Sequence, residues 1–299
     1  MRRSRDDLGP HEEVLEAGPA PLYVREIGDG VPLVVLHGGP DFDHAYLVPD
    51  TDRLADVARL VYYDQRGRGR SYSGDRPGTV TISSEVDDLD RVRERVGTDR
   101  VALLGHSWGG LLAMEYAVRR PDAVSHLILM NTAPPSRAGA LELERARSAR
   151  RAPDVAERLN AVRSSDAYQR GDVPADTEYH RLLFDGALRT PELLDRVVDR
   201  LRVNCCATGI LAAREIEQGL YADTWFRDDY DLTPELAELD VPTLVLHGDS
   251  DFVPVDLARE LADVMPRARS VVLADCGHFA SIEQPERVLE EVGAHLSTS

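Results

Sequence analysis

The chain contains no lysine, because all 35 of its basic residues are arginine. This absence excludes Schiff-base chemistry and a phosphate-binding P-loop, since both require a lysine amine. Basic charge is also scarce relative to acidic charge, because 53 aspartates and glutamates leave a net charge of −18. Nucleic acids and anionic membranes bind basic surfaces, so we expect neither as a partner. The composition favours a small molecule or a short peptide as the substrate.

Cysteines and long apolar runs are scarce as well. Cys205, Cys206 and Cys276 are too few and too irregularly spaced for a disulfide framework or a zinc site, so we predict buried free thiols and no bound metal. No stretch approaches the ~20 apolar residues of a membrane span. The start, "MRRSRDDLGPHEE", lacks the apolar segment of a signal peptide. We therefore expect a cytoplasmic protein.

Short runs of Val, Leu and Ile alternate with longer amphipathic segments, which predicts a mostly parallel sheet covered by helices on both faces. The predicted strands are residues 22–27, 32–37, 58–64, 100–105, 126–131, 242–248 and 270–275. The predicted covering helices are residues 83–97, 107–120 and 285–296. For the first of these helices we expect Ser83 or Ser84 as the cap and Gly97 as the end.

The alternation stops after residue 133. Residues 134–239 are charged and rich in helical patterns, and they contain no convincing buried strand. A structureless loop of this length is uncommon in a compact domain, so the segment is predicted to be a helical subdomain that covers the sheet. The expected organisation is a core of residues 1–133 and 240–299 with a helical cap of residues 134–239.

The motif "GHSWG" lies between a predicted buried strand and a predicted helix. It matches G-x-S-x-G, in which small neighbours allow a strained turn that presents the serine above the sheet at a helix start. Ser107 is therefore predicted to be a nucleophile. Its base is expected to be His278, in a turn just past a later strand. Asp251 is favoured as the orienting carboxylate over Asp249, because Asp249 is expected to form the turn through side-chain-to-backbone hydrogen bonds.

Five stretches, in this order along the chain, resemble the α/β-hydrolases of the proline iminopeptidase (prolyl aminopeptidase) type. They are "LHGGP" (36–40), "YYDQRGRGRS" (62–71), "GHSWGG" (105–110), "HGDSDFVP" (247–254) and "CGHF" (276–279). The resemblance covers essentially all of the core, whereas the segment after Asn131 matches only in position and helical character. It implies an α/β-hydrolase fold, with a mostly parallel central sheet flanked by helices and a helical cap inserted after the sixth core strand.

The resemblance also implies roles for individual residues. Ser107, Asp251 and His278 would form the catalytic triad, and the backbone amides of Gly39 and Trp108 would form the oxyanion hole, with Gly38 the less favoured donor. His37 is expected to be a structural turn residue. Three charged residues of "DQRGRGRS" are expected to form a structural ion-pair cluster rather than to reach substrate; they are Asp64, Arg66 and Arg68.

The match to the family fails at the residues that would bind a substrate amine. Iminopeptidases hold the N-terminal ammonium with acidic side chains of the cap, and some carry a glutamate directly after the catalytic aspartate, where this chain has Phe252. The W-x-x-W-E signature of some members is also missing. Five residues remain as candidates for substrate binding: Asp41, Glu215, Glu217, Asp223 and Trp225. For each acid a structural role is favoured over substrate binding: Asp41 is expected to cap the segment after it, and the other three acids are expected to be solvated charges on helix faces.

The sequence thus predicts a cofactor-independent serine hydrolase that releases an N-terminal residue, preferably proline, from small peptides or amides through an acyl-enzyme. An esterase or amidase that acts on a small acyl substrate with the same triad is the alternative. A binding protein on a degenerate hydrolase core is disfavoured, because all three triad positions and both oxyanion glycines are present. The oligomeric state is left open.

Overall fold

The computed structural model describes residues 9–74 and 80–298, and an eight-stranded sheet lies at its centre. The strand order is β1-β2-β4-β3-β5-β6-β7-β8; β1 and β2 run antiparallel to their neighbours, and the other six strands are parallel. The strands are β1 (His11–Leu15), β2 (Leu22–Ile27), β3 (Pro32–Leu36), β4 (Arg59–Tyr63), β5 (Val101–His106), β6 (Val124–Met130), β7 (Thr243–Gly248) and β8 (Ala268–Leu273). The predicted mostly parallel sheet is confirmed.

The sequence reasoning missed β1, an edge strand with the residues "HEEVL". Within the described residues it pairs with β2 alone, and all of its side chains are exposed or half-buried. An antiparallel edge strand that faces water does not need the continuous apolar run by which buried parallel strands are recognised. The seven strands that were predicted all form, and the long helical segment follows the sixth strand of the sheet.

Alternate residues along the strands point to opposite faces, which produces two apolar cores. One core contains Val34 and Leu103 and is covered by α1, α2 and α10; the other contains Leu33 and Leu104 and is covered by α12 and α7. The helices of the described residues are α1 (Ile82–Val96), α2 (Trp108–Arg119), α3 (Arg137–Arg150), α4 (Pro153–Ser164), α5 (Asp166–Gln169), α6 (Val173–Leu183), α7 (Leu194–Leu201), α8 (Ala207–Asp223), α9 (Thr233–Leu236), α10 (Val255–Val264), α11 (Ala280–Glu283) and α12 (Pro285–Leu296).

Helices α3 to α9 all lie between β6 and β7, within residues 134–239, which we call the insert. The insert packs on both cores: Ile216 and Leu220 of α8 join one, and Val197 and Leu201 of α7 join the other. No helix in the part of the chain that the structure describes is long and apolar enough to cross a membrane.

Two local predictions need correction. The N-cap of α1 is Thr81, not Ser83 or Ser84; the Thr81 hydroxyl accepts from the Ser84 amide at 3.2 Å, and the Ser84 hydroxyl accepts from the Thr81 amide at 3.0 Å. Ser84 is therefore the partner in a capping box rather than the cap. Gly97 ends the helix as expected, in a left-handed conformation with φ +80°.

The prediction of three buried thiols holds fully for one cysteine only. All three cysteines are free thiols, but only Cys276 is fully buried; Cys205 is half-buried and Cys206 is exposed. Cys206 is exposed because it is the N-cap residue of α8, at the surface. A hydrogen bond from the Thr208 side chain is the main influence that lowers the pKa of the Cys206 thiol.

The capping box of α1 can be tested by substitution. We expect Thr81→Ala to lower the free energy of unfolding by about 1 kcal/mol, because the substitution leaves a helix-terminal amide without its acceptor. Ser83→Ala is the matched control and is expected to change stability much less. Urea unfolding followed by circular dichroism measures both, and an equal loss in the two variants would contradict the assignment of the cap.

Candidate active site

Ser107 lies in the turn between β5 and α2, in a backbone conformation with φ +54° and ψ −121°. A positive φ is costly for a residue with a side chain and indicates a turn held under strain. Glycine is required on both sides: a Cβ at Gly105 would collide with the backbone of Gly109, and one at Gly109 would collide with the carbonyl of Leu36. The strained turn with small flanking residues is therefore present as predicted.

His278 and Asp251 are hydrogen-bonded to each other in the turns that follow β8 and β7. The His278 Nδ1 atom lies 2.9 Å from Asp251 Oδ1 and 3.0 Å from Oδ2. Burial alone would raise the pKa of Asp251, but His278, His247 and the Val253 amide stabilise the carboxylate and lower its pKa to about 2. An ionised Asp251 can only accept, so Nδ1 of His278 is the donor and Nε2 is left as the basic atom of the neutral ring.

Asn131 is a site residue that sequence reasoning missed. It follows β6 directly, has φ +48°, and its side-chain amide donates to Asp251 Oδ2 at 2.8 Å and to the Gly277 carbonyl at 3.0 Å. These bonds hold the carboxylate and the turn of His278 at a fixed separation. The available signal was an asparagine at the carboxyl end of a buried strand, since asparagine tolerates a left-handed backbone there.

Asp249 has the structural role that was predicted for it. Its carboxylate is exposed, and it accepts from the backbone amides of Asp275 at 3.2 Å and Cys276 at 3.3 Å. These bonds join the turn after β7 to the turn after β8. The choice of Asp251 over Asp249 as the partner of His278 thus agrees with the observed contacts.

The "HGGP" loop lies beside Ser107. Gly39 has φ +47° and its carbonyl accepts from the Phe42 amide, whereas the Gly38 amide donates to the Tyr46 hydroxyl at 2.7 Å. The Gly38 amide is therefore already engaged within the protein. Trp108 is the first residue of α2, and amides at this position have no acceptor within their own helix.

A chain of hydrogen bonds connects this loop to the turn of His278. The Tyr46 hydroxyl donates to His106 Nδ1 at 2.7 Å, and His106 Nε2 donates to the His278 carbonyl at 2.9 Å. Burial, together with the charge of His278, lowers the pKa of His106 to about 3. His106 is therefore neutral at physiological pH, as a ring that accepts at one nitrogen and donates at the other must be.

His37 and the charged residues of "DQRGRGRS" are structural, as predicted. His37 is buried, its Nε2 accepts from the Gln65 amide at 3.1 Å, and burial together with the charge of Arg68 lowers its pKa to about 3. The cluster forms its ion pairs with partners outside the motif. Arg66 pairs with Asp88, Arg68 with Glu85 and Asp64 with His44.

Within the described residues, Asp43, His44 and Asp64 form the one group whose donor atoms are close enough together to hold a metal ion. Their polar atoms serve internal hydrogen bonds instead: Asp64 accepts from His44 Nδ1 at 2.7 Å and from the Arg70 amide at 2.8 Å. Burial and the charge of Asp64 raise the pKa of Asp43 to about 7. A carboxyl group that retains its proton is a poor metal ligand, so the cluster is best described as structural.

A cavity of about 140 Å³ lies over Ser107 and His278, between the core and the insert. Its volume is close to the ~150 Å³ of an engineered cavity that binds benzene, so one small ring fits. Core residues of the lining include Gly39, Asp41, Trp108, Phe252 and Phe279. The insert contributes Leu143, Arg147, Tyr168, Tyr179, His180, Leu183, Phe184, Arg214, Glu217, Tyr221 and Trp225.

Three of the five predicted substrate-binding residues line this cavity, namely Asp41, Glu217 and Trp225. The other two do not: Glu215 is exposed on α8, and the Asp223 carboxylate accepts from the Ile82 amide at 2.8 Å, which stabilises the start of α1. Glu215 and Glu217 differ because two positions along a helix correspond to nearly opposite faces.

Asp41 belongs to a buried ion network. Its carboxylate pairs with Arg202, which also donates to the Asp41 carbonyl at 2.7 Å and to Asp176 at 2.5 Å. The expected capping role of Asp41 is wrong, since Asp43 caps the next segment by accepting from the Ala45 amide at 2.8 Å. The negative charge of Asp41 is thus already balanced by a protein cation.

Glu217 has no such cation. Its carboxyl accepts from the Tyr221 hydroxyl at 3.0 Å. Among the described residues no arginine or histidine forms an ion pair with it, although the charges of Arg202 and Arg147 act on it from a greater distance and oppose the rise of its pKa. Burial and the charge of Asp41 raise the pKa of Glu217 to about 8. Glu217 is therefore mostly protonated at neutral pH, and a cation bound beside it would convert it to the carboxylate.

The raised pKa of Asp43, in the structural cluster with His44 and Asp64, can be tested by its effect on stability. Its folded-state pKa lies above its ordinary value, so wild-type stability falls between these two pKa values, where the unfolded carboxyl has ionised and the buried one keeps its proton. Asp43→Asn keeps the capping oxygen but does not titrate. Between about pH 5 and about pH 8.5 we expect this variant to gain on the order of 2 kcal/mol relative to wild type. Denaturant unfolding at both pH values measures the gain, and the exposed Asp56→Asn is the control.

Comparisons with known proteins agree with this geometry. A family model described as alpha/beta hydrolase fold matches residues 31–285. Proline iminopeptidases from Lactobacillus delbrueckii subsp. lactis and Levilactobacillus brevis are 29% and 30% identical to this chain; the alignments cover 93% and 95% of this chain and 95% and 97% of those proteins.

A solved structure of a thermophilic esterase from Thermogutta terrifontis is also similar. It is 26% identical and matches with a TM-score of 0.69 over 96% of this chain and 98% of that chain. The chain therefore belongs to the α/β-hydrolase fold family, as a hydrolase that is related over nearly its whole length to proline iminopeptidases.

Proposed function

We propose that the protein is a serine hydrolase of the proline iminopeptidase type, which removes an N-terminal residue, preferably proline, from short peptides or amides. The observation that carries the proposal is Glu217, a half-buried carboxyl without an ion-pair partner among the described residues, in the cavity that contains Ser107. An acid of this kind is suited to the ammonium of a free N-terminus. The similarity to proline iminopeptidases supports the same substrate class.

In the proposed reaction, Ser107 attacks the carbonyl carbon of the first residue while His278 Nε2 takes the serine proton. Asp251 holds the ring through Nδ1 and stabilises the imidazolium that forms. The backbone amides of Gly39 and Trp108 donate to the developing oxyanion. His278 then gives its proton to the leaving amine, and the same residues activate water to hydrolyse the acyl-enzyme and restore Ser107.

The acyl side of the cavity suits a small cationic ring. Trp225 packs edge-on against Trp108 with ring centroids 5.2 Å apart and stacks on Tyr221 at 5.4 Å. Tyr221 in turn donates to Glu217. An ammonium bound by Glu217 would thus lie against aromatic rings, which attract cations through their faces. In this proposal residues 134–239 are the cap subdomain and supply the amine-binding group, while residues 1–133 and 240–299 supply the triad.

Glu217→Gln tests the amine-binding role. The variant cannot provide a negative charge, so we expect the ratio of kcat/KM for prolyl 4-nitroanilide to kcat/KM for 4-nitrophenyl acetate to fall by about 30-fold or more. Glu215→Gln, an exposed acid on the same helix, is the matched control and is expected to leave the ratio unchanged.

The same assay separates the peptidase from the esterase alternative, which the similarity to an esterase of known structure keeps in view. Wild-type enzyme is expected to cleave prolyl 4-nitroanilide and to reject the N-acetylated substrate, because acetylation removes the ammonium. Equal rates on the free and the acetylated substrate, or a Glu217→Gln variant that lowers ester hydrolysis as much as amide hydrolysis, would favour the esterase.

The nucleophile is tested separately. We expect Ser107→Ala to lower kcat on both amide and ester substrates by at least about 1,000-fold, since every acyl transfer requires the serine oxygen. Steady-state assays that are paired with thermal unfolding show whether the variant is folded. A folded Ser107→Ala variant with full turnover would contradict the mechanism for every substrate.

A further inference from the structure

Arg147 of α3 is a cation in the cavity that the proposed mechanism does not use. Its Nε atom is buried without a hydrogen-bond partner, and no carboxylate of the described residues forms an ion pair with its guanidinium. Burial, the largest influence, lowers its pKa. The other arginine of the lining, Arg214, pairs with Asp176. Arg147 is half-buried, and in a chain with 53 acidic residues a buried guanidinium nitrogen without a partner is unusual.

Arg147 lies close to His278, with the ring of Phe252 between them. Its guanidinium carbon is 5.0 Å from the centre of the Phe252 ring, and that ring is 4.1 Å from the ring of His278, centre to centre. His278 is the residue that protonates the leaving amine in the proposed reaction. A substrate group near Phe252 would therefore lie close to this proton donor, where the leaving side of the scissile bond must also lie.

A second cavity, of about 110 Å³, adjoins the first on this side. The two cavities share Arg147, Leu183 and Phe252. The second cavity is also lined by Arg150 and Arg151, and its one acid among the described residues is Asp185. Arg150 is anchored by bonds to the Asp251 and Ser250 carbonyls. Three neighbouring arginines give this end of the site a positive charge, although the chain as a whole is strongly acidic.

We propose that Arg147 binds a carboxylate on the leaving side of the scissile bond, so that the preferred substrates are free dipeptides or similarly short peptides whose C-terminus is ionised. The proposal rests on the proposed function for the identity of the bond that is cleaved. Glu217 and Arg147, which are not paired with each other, then match the two charged ends of a zwitterion. A carboxylate on Arg147 would satisfy the guanidinium with charge-assisted hydrogen bonds.

The alternative is that Arg147 only packs on Phe252, as a cation on an aromatic face. In that role it would stabilise the cavity wall and affect all substrates alike. A carboxylate-binding role affects only substrates that carry the carboxylate. The two roles therefore differ in selectivity and not simply in activity.

Binding to a Ser107→Ala background separates these roles without hydrolysis. Isothermal titration with prolyl-alanine and with prolyl-alanine amide is expected to show about tenfold tighter binding of the free acid. Adding Arg147→Gln is expected to remove this preference, and Arg147→Lys is expected to retain part of it, since lysine keeps the charge but not the planar fork. Arg145→Gln is the matched control, because Arg145 is exposed on the same helix and pairs with Glu142.

The outcomes are distinguishable. If the free acid and the amide bind equally to the Arg147-containing protein, or if Arg147→Gln weakens both by the same factor, the carboxylate subsite is wrong. Prolyl 4-nitroanilide carries no carboxylate, so its hydrolysis by wild-type enzyme reports on the proposed function alone. Failure to cleave it would remove the peptidase assignment, whereas the titrations would still decide whether Arg147 prefers a carboxylate.

The same ratio can be measured in turnover with otherwise wild-type enzyme. The kcat/KM for prolyl-alanine relative to that for its amide is expected to fall about tenfold in Arg147→Gln and to stay constant in Arg145→Gln. A loss of folded protein lowers both kcat/KM values by the same factor and therefore leaves their ratio unchanged. A constant ratio in Arg147→Gln would overturn the proposal.

Discussion

The ion pairs of Arg202 are the contact on which the geometry of the site depends. Its guanidinium, buried between the core and the insert, joins Asp41 of the "HGGP" loop to Asp176 of α6, and Asp176 also pairs with Arg214 of α8. Despite burial, which opposes ionisation, His180 and Arg202 hold the pKa of Asp176 far below its usual range. Such networks contribute little net stability, because desolvation offsets much of the attraction. Their effect is to specify one arrangement of the loop and three helices.

That arrangement determines which charges remain for a substrate. Asp41 is balanced by Arg202, and Asp176 is balanced by two arginines, so neither presents an uncompensated charge to the cavity. Glu217 lies close enough for the charge of Asp41 to contribute to its raised pKa, yet it has no cation of its own. The network thus leaves the cavity with one carboxyl group, Glu217, and one guanidinium, Arg147, that have no ion-pair partner among the described residues.

Sequence reasoning succeeded where a function is encoded by adjacent residues. Ser107 is near the glycines that its turn requires, and Asp251 and His278 follow recognisable strands. Local pattern and strand order were enough to predict that Asp251 and His278 lie together and that Ser107 faces the same cavity as His278. Asn131 and Arg202 were missed because their roles depend on distant partners; Arg202 lies 161 positions from Asp41 in the chain.

Helical phase set another limit on prediction. Glu215 and Glu217 are the same residue type and lie two positions apart in the chain. Only the orientation of α8 decides which of them faces the cavity. The same limit applies to β1, whose short and charged sequence becomes a strand only because β2 offers it an unpaired edge. In each case the missing information was the position of an element relative to the rest of the fold.

The hydrogen-bonded ring of His106 has a mechanical consequence. His106 precedes Ser107 in the chain and binds the backbone of His278, which is 172 positions away, through a neutral imidazole without intervening solvent. Direct hydrogen bonds therefore link the turn of Ser107 to the turn of His278, and the Tyr46 hydroxyl extends this chain to the "HGGP" loop. These bonds favour one relative arrangement of the three turns, and a preorganised site needs little reorganisation when a substrate binds.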